Sequence, residues 1–192
     1  MKRIIKNEPE FYTTFITKER PSNWDDLAVI RQRLRLHMLV EEQNYQCAYT
    51  GISIDESNIS SHIDHFKKQS MFQELRFIYS NLFTATNNEN FGAKYKDKYI
   101  KKTDYSSLID PGTEDPDVYL EYSFDGKIYS KNNSDKGSKT IEIFNLNHPI
   151  LVNRRKEKIR IFDTLKGQLD LEEILKSTRE FEGIIRYLYK NN

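Results

Sequence analysis

At 192 residues the chain lies within the size of one domain, so a single unit with irregular insertions is expected over 1–192. Its 30 Lys and Arg against 29 Asp and Glu leave a net charge of +1, which excludes a uniformly cationic wrapper of nucleic acid and restricts any polyanion contact to a local patch. Apolar residues make up 37% and charged residues 31%, a polar balance, yet 12 Tyr, 11 Phe and one Trp suffice for an aromatic-rich core. The lone Cys47 excludes an internal disulfide and a four-cysteine metal knot and fits a reducing compartment. The opening residues, Met1 to Glu8, are basic without the apolar stretch of a signal peptide. No segment approaches the ~20 apolar residues of a membrane span, so a soluble, cytoplasmic protein without a membrane partner is expected.

Trp24 to Gln46 places Leu27, Ile30, Leu34 and Met38 at helical spacing behind Ser22 or Asn23 as N-cap, with Asp25 and Asp26 in the first turn. Cys47 to Gly51 reads as a turn, and Ile52 to Ile54 and Ser61 to Phe66 read as short extended pieces that suggest a small hairpin. Phe77 to Phe83 leads into the polar run Thr86 to Asn90, and Gly92 to Tyr99 has the lysine pattern of a short exposed helix or loop. Asp110 to Asp125 is an acidic, solvated loop that polyanions should avoid. Asp125-Gly126 predicts a type I′ hairpin between Val118 to Phe124 and Lys127 to Ser130. Asn132 to Gly137 is expected as a flexible loop, and Thr140 to Phe144 alternates like a half-buried strand. Ile159, Phe162 and Leu165, then Leu171 through Leu188, mark two closing helices.

The densest cluster of potential metal ligands and bases is His62-Ile63-Asp64-His65, which holds two of the four histidines. On a strand His62 and Asp64 share a face and His65 turns the other way, unless a bulge or the strand end lets Asp64 and His65 converge on one phosphate. Phosphodiester hydrolysis requires charge neutralisation by a divalent cation and a base for water. Asp64 suits the first task and His65, with an ordinary pKa of about 6.5, the second. A surface turn or a structural hydrogen-bond network is the alternative for the same string. His37 and His148 are expected to be structural.

Six blocks in order, Cys47-Ala48-Tyr49, His62 to Ser70, Asn81-Leu82-Phe83, Gly92 with Lys94 to Lys98, Leu108 through Ile128, and Thr140 to Arg155, resemble the HNH endonucleases of the PtuB type, found in Septu anti-phage systems and beside some retrons. The resemblance covers roughly Trp24 to Arg155. It implies an α+β protein with a ββα-metal (HNH) core at about 47–100, an N-terminal helix, and an accessory β-hairpin and helical region at about 101–192. It further implies Asp64 as metal ligand, His65 as general base, Asn81 as brace of the intervening loop, and Mg2+, or Mn2+, as the ion. The implied partner is a PtuA-like ABC-type, SMC-like ATPase, the chain itself having no P-loop. The implied substrate is DNA, or transfer RNA as in relatives beside retrons.

Two departures qualify the resemblance. The family's zinc-binding cysteine pairs are reduced to Cys47, with Thr50, Thr86 and Phe91 at the other positions. No structural zinc is therefore expected, and Tyr49, Phe83 and Phe91 should fill its place. Many relatives carry a histidine where Ala93 stands, so the third ligand falls to Asn90, nine positions after Asn81, or to His62, with Asn87 and Asn88 as alternatives. Either another residue completes the site, or the chain is a degenerate scaffold that binds and regulates the ATPase. Lys67 and Lys68, Lys94 and Lys96, and Arg154 and Arg155 are the expected nucleic-acid contacts. The Leu171 to Leu188 stripe serves either core packing or docking on the ATPase.

Overall fold

The computed structural model describes residues 1–57 and 59–191. α1 (Glu10–Glu19), not anticipated from the sequence, lays Tyr12, Phe11, Phe15 and Ile16 against the long helix that follows. That helix starts at the expected cap: the Ser22 and Asn23 amides both donate to the Asp26 carboxylate. It runs as a 3-10 turn (Trp24–Leu27), α2 (Ala28–His37) and a widened π turn (Met38–Glu42). It ends before Gln46 because Asn44 and Tyr45 take left-handed conformations at φ 49° and 57°.

β1 (Ser61–His65) pairs antiparallel with β2 (Leu82–Thr86), setting His62 opposite Ala85, Asp64 opposite Phe83 and His65 opposite Leu82. The expected hairpin partner, Ile52 to Ile54, contributes only an isolated bridge from Ser53 to Gln46. Leu82–Thr86 wins the pairing because it has something to bury on both faces. Leu82 joins the cluster of Tyr12, Leu27, Leu34, Met38, Ile63 and Tyr79, whereas Phe83 and Ala85 join the larger cluster. α3 (Ala93–Tyr99) follows and is not simply exposed, since Ala93 and Lys96 are fully buried.

The larger cluster runs from Tyr49, Phe66, Phe83 and Phe91 to Phe144, Phe162, Phe181 and Leu188, so the strand pair and the C-terminal helices share one interior. β3 (Leu120–Tyr122) and β4 (Ile128–Ser130) form the expected hairpin. Its turn is not type I′: only Gly126 has positive φ, 79°, and the Gly126 amide donates to Ser123 O. A type I turn closed by a left-handed glycine fits this loop.

α4 (Asp135–Ile143) replaces the second half of the expected loop at Asn132 to Gly137, which opens with a 3-10 turn at Lys131–Asn133, and the expected strand at Thr140 to Phe144. Ser134 caps it by accepting from the Gly137 amide. Thr140, Ile143 and Phe144 are buried at spacings of three and four, the helical face hidden inside an alternating string. Gly137 lies so close to the Tyr119 carbonyl that a Cβ would collide with it. Three helices, not two, close the chain: α5 (Pro149–Leu165), α6 (Leu171–Thr178) and α7 (Glu182–Asn191). The break between the last two falls at left-handed Arg179 and Phe181. Ile174, Phe181, Ile184, Ile185 and Leu188 are buried, so most of the C-terminal stripe packs into the core, with Leu171 and Leu175 partly buried at its edge. The architecture is a mixed α+β one with two small antiparallel sheets. Among the described residues no helix is long and apolar enough to cross a membrane.

Candidate active site on the first strand

Alternation along β1 decides where the four polar residues go. Ser61, Ile63 and His65 face the long N-terminal helix: Arg35 donates to Ser61 Oγ (2.7 Å), Ile63 packs with Leu27, Leu34 and Met38, and the His65 ring meets Trp24 edge-on at 4.5 Å. His62 and Asp64 leave the opposite face. The ladder runs unbroken through both Asp64 and His65. No bulge brings the two together, and although β1 ends at His65, the Asp64 carboxylate is held by Tyr49 and Lys96 while the His65 ring is held by Trp24 and the Arg76 carbonyl, so the two groups share no partner.

Asp64 is 4% exposed, and its Oδ2 accepts the Tyr49 hydroxyl at 2.5 Å and Lys96 Nζ at 2.9 Å. Lys96 Nζ also donates to the carbonyls of His65 (2.8 Å) and Phe66 (3.1 Å), and Asp97 Oδ1 stands 3.3 Å away. Burial opposes the Lys96 charge, but Asp64, Asp97 and Tyr105 more than reverse this, and its pKa ends above the ordinary lysine value. Burial, then Asp64, drives the Tyr49 hydroxyl well above its ordinary range, so it remains a donor. Lys96 is thus a buried counter-charge and not a nucleic-acid contact, contrary to expectation.

His65 Nε2 lies 3.0 Å from the Arg76 carbonyl. A carbonyl only accepts, so Nε2 carries the hydrogen, and in the neutral ring Nδ1 keeps its lone pair. Burial lowers the His65 pKa from its ordinary 6.5, outweighing the Arg76 carbonyl and Asp64, so the ring is neutral at pH 7. Asn81 ties down both ends of the connection that carries Arg76: its Oδ1 accepts the Lys67 amide (2.8 Å), and its Nδ2 donates to Lys67 O (3.0 Å) and Leu75 O (3.3 Å). This clamp has the geometry of the loop-bracing role that the resemblance implies for Asn81.

The remaining candidates are dispersed. His62 Nδ1 is paired with Asn87 Oδ1 (2.9 Å), and Asn90 is exposed, its backbone tied to Asn88 and Asn145. Lys67 and Lys68 are half-buried, and Lys68 Nζ donates to Asp97 O (2.8 Å). Lys94 is paired with Glu89, and Arg154 with Glu180. Arg155, 1% exposed, donates to Gly126 O and Leu146 O inside the core, so it is a structural residue and cannot reach a phosphate. At the positions of the family's cysteines the methyls of Thr50 and Thr86 gather around Gly92. Tyr49 stacks on Phe144 at 4.5 Å and meets Phe83 at 6.0 Å, while Phe91 packs on His148. His148 itself caps α5 and His37 Nε2 lies 2.9 Å from Asn7 O, both structural roles.

No protein-family model matches the chain. Over 91% of its residues, and 85% of the relative's length, it is 26% identical to a curated Escherichia coli protein named "Retron Ec83 putative HNH endonuclease". This likeness supports an HNH endonuclease family and a nuclease function.

The donor set around Asp64 does not fit the divalent ion that such a family implies. Its Oδ2 already serves an ammonium and a phenol, His62 Nδ1 is paired with Asn87, and among the described residues no three His, Cys, Asp or Glu side chains form a metal cage. Sequence reasoning missed Trp24 and Arg76 as the supports of His65, and Lys96 as the partner of Asp64. The chain's single tryptophan was a signal for the first, and the i, i+3 spacing of Lys96 from Ala93 was a signal for the last. Arg76 acts through its main-chain carbonyl, which leaves no trace in the side-chain pattern. Beside Trp24 a cleft of about 370 Å³, lined by Arg31, Gln32, Arg35, Ser61 and His62, opens next to the strand.

Proposed function

We propose that the protein is an endonuclease that hydrolyses nucleic-acid phosphodiester bonds with His65 as general base. The observation that carries this reading is the His65 ring held by the Arg76 carbonyl on an Asn81-clamped loop, which commits Nδ1 to accepting a proton. Water attacks phosphorus as its proton passes to Nδ1, a P–O bond to the leaving sugar oxygen breaks, and that oxygen is protonated from solvent. Lys67, half-exposed at the start of the clamped loop, is the proposed phosphate contact, with Lys68, Lys94 and Arg154 further along the backbone path.

The proposed setting is an effector of a Septu-type anti-phage system beside a PtuA-like ATPase, supported by the ordered blocks from Trp24 to Arg155. DNA is the proposed substrate and transfer RNA the alternative. Cleavage assays of the chain with its ATPase on both nucleic acids test the reading. Loss of cleavage in His65→Ala is expected, and unchanged cleavage overturns it.

A second reading, a non-cutting scaffold that regulates the ATPase, is favoured by the sealing of Asp64 beneath Lys96 and Tyr49. Absence of cleavage by the complex on either nucleic acid, with ATPase regulation intact in His65→Ala, selects it.

A further inference from the structure

We propose that Lys96 is the built-in cation of the Asp64 carboxylate, and that the protein takes up no divalent ion through Asp64. The inference goes beyond the nuclease reading and stands without it, because it concerns what neutralises this carboxylate whether or not a strand is cut.

An ammonium has three N–H donors, and Lys96 Nζ spends them on three oxygens: Asp64 Oδ2 at 2.9 Å, His65 O at 2.8 Å and Phe66 O at 3.1 Å. The side chain is wholly excluded from solvent. A carboxylate and two carbonyls around one positive centre are the hard oxygens that a small cation would seek, and they are already taken by a cation tethered to the chain. Mg2+ would require near-octahedral coordination at roughly 2.0–2.1 Å. The Asp64 oxygen facing Lys96 also holds the Tyr49 hydroxyl, and the nearest further carboxylate, Asp97, stands 3.3 Å from the same ammonium. Adding a divalent charge beside a lysine that cannot reach water would bring two cations together against buried Asp64 and partly exposed Asp97. Lys96 has no easy exit, since it shares the inner face of α3 with fully buried Ala93.

Two measurements on the full chain test this. Titration with Mn2+ alone, followed by electron paramagnetic resonance, compares the unaltered protein with Asp64→Asn, a near-isosteric change. Equal Mn2+ affinity in the two is expected, whereas a loss of about tenfold or more in Asp64→Asn overturns the proposal. Reductive methylation of the unaltered protein, read by mass spectrometry, requires no variant to fold. Lys96 is expected to stay unmodified while half-exposed Lys98 reacts, with and without millimolar Mg2+. A rise in Lys96 labelling on adding Mg2+ means that the ion displaces the ammonium, and overturns the proposal. A nuclease reading lost to an inert His65 substitution would leave both outcomes standing.

Discussion

The two faces of β1 treat adjacent polar residues in opposite ways. On the inner face Asp64 is buried under Tyr49 and Lys96, its charge neutralised within the chain. On the face toward Trp24, His65 is held by one nitrogen, with the other left free to accept a proton. Neighbours in sequence need not be neighbours in a site. A two-residue period turns them to opposite faces, and although β1 ends at His65, Lys96 on one side and the Arg76 carbonyl on the other keep them apart.

Each face can be challenged separately. His65→Ala should cost about 10²–10⁴-fold in cleavage if Nδ1 is the base, and Asn81→Ala should lower the rate in the same direction by freeing the loop that orients the ring; supercoiled-plasmid and transfer-RNA cleavage are the readouts. On the other face, Lys96→Met leaves Asp64 buried without a counter-charge and should destabilise by about 3–5 kcal/mol in urea denaturation. Combining it with Asp64→Leu should restore most of that loss, a coupling that a merely space-filling lysine would not produce. Tyr49→Phe removes one hydrogen bond to the carboxylate and should cost about 1.5 kcal/mol, with cleavage unchanged.

A control away from both faces is expected to show the smallest effect. Burial raises the Glu182 pKa, but Lys2, Arg186 and Asn44 outweigh it and hold the carboxyl below its ordinary 4.5. Its depressed value in the fold means that the associated stability is present above pH about 4.5 and is lost as pH falls through the folded value. Glu182→Gln should flatten that acid limb in pH-resolved thermal melts while leaving the His65 readout unchanged.

Legibility follows the range of the interaction. The start of the long helix could be read because Asn23 and Asp26 cap it within four residues, and the β3–β4 hairpin because Gly126 marks its turn. The strand expected at Thr140 to Phe144 failed because a short string with apolar residues at one, three and four positions satisfies both periods. Ser134 as cap and Gly137 against the Tyr119 carbonyl favour the helix. The chemistry-bearing string itself was visible, and its strand assignment holds, but its partners were not. Arg76 supports His65 through a main-chain atom, and Lys96 reads as one more surface lysine until α3 turns it inward.

Local composition and spacing were enough to establish the long N-terminal helix, the second hairpin, the absence of any internal disulfide, and the His62 to His65 cluster as the place to look. Pairing of Ser61–His65 with Leu82–Thr86 instead of Ile52 to Ile54, the opposite destinations of Asp64 and His65, and the burial of Lys96 and Arg155 depended on contacts between distant segments. Burial is a property of the assembled interior: the same lysine is a phosphate contact when solvated and a structural counter-ion when a carboxylate and two carbonyls enclose it.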